Sequence, residues 1–185
     1  AIYFDPEFQE KYRGWAKALL TTKNPYTGKA LADDPAVAIV ELVNEDSLFF
    51  WTFADRNIPE PERALLENAF ASWLARREGS LAKALAPWPR HDRDGADRAG
   101  LFAAWDMTSQ GIAQGATKKT RMAAQVRFLA ETQRAFYAGT AAWLRKDLGL
   151  KCLVSASNWR TADEARLGAI ERWTYAAGDV LDRHG

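Results

Sequence analysis

The chain has 185 residues, 48% hydrophobic and 12% aromatic, which is enough apolar material for one core and sets a single domain as the expectation. Its 25 basic and 24 acidic side chains leave a net charge of +1, so the basic excess of a nucleic-acid-binding module is missing. A single cysteine, Cys152, excludes an internal disulfide framework, and no run approaches the ~18 apolar residues of a membrane span.

The first residues, Ala1-Ile2-Tyr3-Phe4, carry neither the basic n-region nor the apolar h-region of a signal peptide and read as mid-protein sequence. Asp5-Pro6 has the form of an N-cap followed by proline at the first helical position. Phe8, Tyr12, Trp15, Leu19 and Leu20 then recur at helical spacing through Thr22. Turn residues at Asn24-Pro25-Tyr26-Thr27-Gly28 and Asp33-Asp34-Pro35 separate this helix from Ala36–Val43. That run is β-branched and almost continuously apolar, as a parallel strand covered on both faces would be.

A connection from Asp46 to Pro61 leads to a second helix with Leu65, Leu66, Ala69, Phe70, Trp73 and Leu74 on one face, extending to Leu85. Pro87 to Gly100 is polar and reads as an exposed loop, and a short helix is expected over Leu101–Ile112. Asp92-Arg93-Asp94-Gly95-Ala96-Asp97 lacks the closing Glu of an EF-hand and reads as part of that solvated loop. The longest helix spans Lys118–Leu148 and ends at Gly149 as its C′ residue. Its inner side is Met122, Val126, Leu129, Gln133, Phe136, Tyr137 and Leu144, and Lys118, Lys119 and Arg121 at its start read as a solvated face. Lys151–Ser157 is a second buried strand, in which Cys152 reads as a small hydrophobe. A helix over Asp163–Tyr175 and a third strand over Asp179–His184 complete the chain. Trp15, Trp73 and Trp143 fall on helix patterns and are expected in the core or between helices.

Strands alternating with helices predict an α/β fold, a parallel sheet with helices packed outside it. Its chemistry belongs at the C-terminal strand ends, which are Asn44-Glu45, Ser157-Asn158-Trp159 and Asp182-Arg183-His184. A carboxylic acid there can serve as a general acid if apolar surroundings raise its pKa, and Val43, Leu48, Phe49, Phe50 and Trp51 are the neighbours available to Glu45. Trp51 and Trp159 offer flat apolar surfaces for sugar rings, and His184 stands between substrate contact and a structural role. Glu41, inside the first strand, needs a buried partner and is read as half of a structural salt bridge. Asp182 is read as support for His184 or an arginine.

The strand Ala36–Glu45 ending in Asn-Glu resembles the fourth strand of the clan A glycoside hydrolases, and is most similar to family 5 cellulase-like (β/α)₈ barrels. Val154–Trp159 looks like the fifth strand, and His184 matches the histidine that commonly ends the sixth. The resemblance implies that the chain is a partial (β/α)₈ barrel, a single truncated segment of a catalytic domain covering strands four to six. It implies that Glu45 is the general acid/base of a retaining glycosidase and that Asn44 holds the substrate 2-hydroxyl. Asn158, Trp159, Trp51 and His184 are then substrate contacts, and the nucleophile lies beyond the C-terminus. On this reading the substrate is an oligo- or polysaccharide with β-linkages, no metal or cofactor is used, and neither nucleic acid nor membrane is a partner. The parent would be secreted or periplasmic, and the isolated segment inactive and prone to self-association through its open strand edges. Two alternatives remain open: a non-catalytic carbohydrate-binding or scaffold protein on the same fold, and a metal-dependent hydrolase, for which a His-x-His pair at a strand end is missing.

Overall fold

A computed structural model describes residues 1–184 and shows a mixed α/β fold whose sheet holds two parallel strands. Helix α1 (Pro6–Thr21) starts as the sequence indicates. The Asp5 carboxylate accepts the N–H groups of Glu7 and Phe8, at 2.9 and 3.3 Å. Tyr12, midway along it, donates its hydroxyl to the Leu42 carbonyl at 3.0 Å and ties α1 to strand β1 (Ile39–Val43). β1 pairs in parallel with β2 (Leu153–Ser157), with Ile39 opposite Leu153 and Val43 opposite Ser157.

Leu42, Val154 and Ala156 are buried, but coverage of both faces fails at the N-terminal end of the sheet. The register partners Ile39 and Leu153 are 51% and 47% exposed, so the apolar run of β1 is not wholly enclosed. The third strand is reduced to a single parallel bridge, Ser155 with Val180. The reason is local. The Asp179 carboxylate takes the Val154 N–H at 2.8 Å, a donor that a backbone ladder would have used, while the Asp179 N–H reaches the Val154 carbonyl. Farther along, the His184 N–H donates to the Asn158 carbonyl at 2.8 Å, so the segment still runs beside β2.

Between β1 and the long helix the chain makes an excursion of several short elements. Helix α2 (Glu60–Glu78) buries Leu66, Phe70 and Leu74, while Leu65 is exposed. It stops at Gly79, which adopts φ +83°, instead of running on to Leu85, and Ser80 caps a separate helix α3 (Leu81–Leu85). The helix expected over Leu101–Ile112 is two: α4 (Ala104–Met107) and α5 (Ser109–Gln114). They are divided at Thr108, whose extended backbone breaks the helix and whose hydroxyl caps the next one at the Gly111 N–H.

The polar loop of residues 87–100 is not simply solvated. Arg121 is fully buried and binds both Asp94 oxygens, at 2.8 and 2.6 Å, as well as the Gly100 carbonyl. The buried Glu67 carboxylate accepts from Arg93 and Arg98. Arg121 is therefore corrected from solvated cation to internal clamp, and Asp94 from a loop charge to its partner. A loop rich in both charge signs can be pinned when each buried charge meets a bidentate partner.

Helix α6 (Lys119–Leu148) buries Met122, Leu129, Gln133, Phe136, Tyr137 and Leu144, with α7 as its main packing partner, and ends at Gly149 in the left-handed region. Helix α7 (Glu164–Tyr175), capped by Asp163, packs beside it. Trp15 departs from expectation: it stands 61% exposed, beside Tyr12 at the edge of the buried stripe of α1. Trp73 and Trp143 are partly buried against the core as expected, and Trp73 donates its indole N–H to Glu131.

Candidate functional site

The sequence places three polar strand ends on one face, and in the structure they meet. β1 terminates at Asn44-Glu45, and Glu45 has φ +48°, the only positive φ of a non-glycine residue among those described. A side chain with a Cβ enters that region at a cost of about 1 kcal/mol or more, so surrounding contacts have to hold it there. The holding group is Asn158, 1% exposed at the end of β2. Its Oδ1 accepts the Glu45 backbone N–H at 2.9 Å. Its Nδ2 donates to the Glu41 carboxylate at 2.7 Å and to Asn44 Oδ1 at 3.0 Å. One amide thus binds the last turn of β1 in three places.

The third strand end supplies His184, whose Nδ1 lies 2.8 Å from Glu45 Oε1. Its backbone is fixed by the Asn158 carbonyl and by Arg160 Nε, which donates to the His184 carbonyl at 3.2 Å. Asn44, Glu45, Asn158 and His184 consequently form one connected group.

The surroundings of Glu45 differ from the apolar pocket expected for it. Its side chain is 45% exposed and faces an imidazole. Leu48 and Phe49 are buried in the core, where the chain turns inward after Asp46, and Phe50 packs edge-on against Trp159. Burial pushes the pKa of Glu41 up, opposed by the Asn158 hydrogen bond and the His184 charge and reinforced by Asp182 and Glu45, with a net rise. The expected salt bridge of Glu41 is replaced by this amide contact. Asp182 accepts the N–H of the adjacent Arg183 and acts on the site as a nearby negative charge.

The two tryptophans take different positions. Trp159 is half-buried against Phe50, with its indole nitrogen inside the protein. Trp51 is exposed beside a second exposed ring, Trp105, which the sequence offered only as a helix residue. Two clefts adjoin the site. One of about 580 Å³ is lined by Tyr3, Phe4, Phe8, Asp46, Thr52 and Glu62. Another of about 400 Å³ is lined by Arg160, Thr161, Glu164, Arg183 and His184.

Among the described residues no group of three or more His, Cys, Asp or Glu side chains is arranged to hold a metal ion. Among the same residues no helix is long and apolar enough to cross a membrane. Asn158 as the organising group was not legible beforehand, since its sequence position suggested only another substrate contact. A signal did exist: it is the one amide at a strand end preceded by a fully apolar or small-residue strand, where an unsatisfied polar group would be costly.

Comparison with family models, with curated proteins and with solved structures found no match for this chain.

Proposed function

We propose that the chain carries the acid/base portion of a retaining glycoside hydrolase site, within a partial (β/α)₈ barrel. Glu45 donates the proton to the leaving glycosidic oxygen and then recovers one from water. The observation that carries this reading is the convergence of Glu45, Asn158 and His184 from three adjacent parallel segments on the C-terminal side of the strands. That is where α/β architectures place chemistry.

The roles follow from the contacts. Glu45 is a strand-end carboxylate that is exposed and held by a neighbouring strand end, with Oε1 beside His184. The His184 ring at 2.8 Å gives the Glu45 carboxyl group a hydrogen-bond partner that fixes its orientation. Asn44 spends its Oδ1 on Asn158, and its remaining amide group is assigned to a substrate hydroxyl. The nucleophile is assigned to a carboxylate on a further strand end, about 5–5.5 Å from Glu45 in a retaining site.

The test is to assay the parent protein on aryl glycosides and β-linked polysaccharides beside Glu45→Gln. Loss of cleavage where the leaving group is poor, with partial retention on activated aryl glycosides, supports the assignment. Equal activity of the variant on both would overturn it.

A further inference from the structure

Of the two clefts that adjoin the site, the one next to His184 carries the cations. Arg160, Thr161, Glu164, Arg183 and His184 line a space of about 400 Å³, within the range of small-molecule pockets. The His184 ring joins this space to the strand ends, since its Nδ1 lies 2.8 Å from Glu45 Oε1. The cleft is therefore one side chain away from Glu45.

The charges of the cleft do not cancel. Among the described residues Glu164 is the one carboxylate of the lining, and both its oxygens are taken. Oε1 accepts from Arg172 Nη1 at 2.5 Å, and Oε2 pairs with Arg183 Nη2. The carboxyl group lies where a Cβ on Gly168 would stand, so only a glycine there lets Glu164 reach both arginines. The nearby Asp163 spends its oxygens on the N–H groups of Ser109 and Arg166. Arg160 donates Nε to the His184 carbonyl at 3.2 Å, and among the described residues it pairs with no carboxylate.

The one buried residue of the lining supplies an unanswered hydroxyl. Thr161 is 8% exposed, and its Oγ1 has no hydrogen-bond partner among the described residues. A buried hydroxyl without a partner is destabilising, and native structures keep few of them. The backbone that carries it is held on both sides. Tyr175 donates its hydroxyl to the Trp159 carbonyl at 3.4 Å, and the Ala162 N–H donates to the Phe49 carbonyl at 2.7 Å.

We propose that Arg160, Arg183 and Thr161 form an oxyanion site beside Glu45, which takes a carboxylate or sulfate-ester group carried on a sugar. The sugar rests on the glycosidase reading, and the site narrows its substrate class to an anionic β-linked glycan. A guanidinium presents parallel N–H donors that match the oxygens of such a group, and the threonine adds a hydroxyl donor. A neutral glycan gives these donors no charged partner.

The test measures binding by calorimetry at constant ionic strength, with circular dichroism verifying the fold of each variant. The probes are methyl β-glucuronide, methyl β-glucoside and the sulfate ester of that glucoside. The unaltered chain is expected to bind one of the charged probes about tenfold more tightly than the neutral one, and the tighter of the two names the anionic group. Arg160→Gln is expected to weaken that probe about tenfold and Thr161→Val about threefold, with the neutral glucoside unchanged. Arg160→Lys keeps the charge without the fork and is expected to fall between Arg160→Gln and the original. Equal affinity for charged and neutral probes, or no binding of either charged probe, overturns the site. Unweakened anion binding in Arg160→Gln or in Thr161→Val overturns it too. Cleavage by the parent separates this proposal from the role of Glu45. Aryl glycosides cleaved without preference for an anionic sugar overturn the oxyanion site alone. Anion binding without cleavage of any aryl glycoside overturns the role of Glu45 alone.

Discussion

Asn158 Oδ1 receives the backbone N–H of Glu45 at 2.9 Å, and through that single bond the end of β2 determines the conformation at the end of β1. Removing the amide leaves the Glu41 carboxylate and the Glu45 N–H without their partner. Asn158→Ala is expected to lower stability by about 2–3 kcal/mol in urea titration, because buried groups lose their hydrogen bonds. On the proposed acid/base role, it is also expected to lower kcat while leaving KM near its original value, since Glu45 loses its fixed position. Unchanged stability and kcat would refute the positioning role.

Glu171 lies on the inner side of α7, fully buried, and neither carboxylate oxygen has a hydrogen bond of ordinary geometry. Burial raises its pKa to about 7, while the hydroxyls of Ser47 and Tyr175 are near enough to oppose the rise. Because the folded pKa lies above the unfolded value of 4.5, the native state binds the proton more tightly. Stability therefore falls as the pH rises from about 4.5 to 7 and then levels off, by a total of about 3 kcal/mol. Glu171→Gln is expected to flatten this slope and to melt at a higher temperature than the original at pH 8. A slope of the same size in the variant would show that another group carries it.

Arg121 and Asp94 are a buried pair of the opposite kind. Burial alone would raise the Asp94 pKa, but Arg121 and the N–H groups of His91 and Gly100 hold it down to about 2. The contribution of this carboxylate is thus complete above its ordinary pKa of 3.8 and is lost as the pH falls through about 2. Arg121→Met strands Asp94 and is expected to cost about 3–5 kcal/mol, and the double change with Asp94→Leu to recover much of that. Chemical denaturation of the three variants checks the cycle. An additive double mutant would contradict the pairing.

Gly178 sits where the third segment comes alongside β2, and a Cβ there would stand 2.6 Å from the Val154 carbonyl. Backbone offers no rotamer to move aside, so Gly178→Ala is expected to shift the segment away and to cost about 1–3 kcal/mol. Hydrogen exchange then reports the consequence for the site. The His184 N–H, bonded to the Asn158 carbonyl, is expected to lose its protection in the variant.

Much of this architecture is legible in the sequence because it rests on local signals. Asp5-Pro6 marks the start of α1, Gly149 the end of α6, and Asp163 the start of α7, each within a residue of the observed boundary. The strand ends were readable because the apolar runs stop abruptly at polar residues. What was hidden depends on tertiary partners. Glu45 looked surrounded by aromatics, yet the turn after Asp46 sends Leu48 and Phe49 into the core and leaves the carboxylate facing His184. Arg121 looked solvated because its partner, Asp94, lies in a loop with no periodic pattern. The third strand has suitable residues but lacks a ladder, since the Asp179 side chain takes a backbone donor from β2. Trp15 has core-like spacing but stands at the margin of the stripe formed by Tyr12, Ala16 and Leu20, its ring 6.0 Å from that of Tyr12.

The excursion between the two strands also bears on the order in which the molecule assembles. Glu45 and Asn158 are 113 positions apart, and the paired strands are similarly distant. Closing so long a loop is entropically costly and contributes little until both strands are in register. The neighbouring contacts of α2 with α3 and of α6 with α7 span far less chain and can form early. The sheet is then among the last parts to knit together, and the strained backbone of Glu45 is set only when Asn158 arrives. A nascent chain would acquire its helices well before the end of β1 took its final shape.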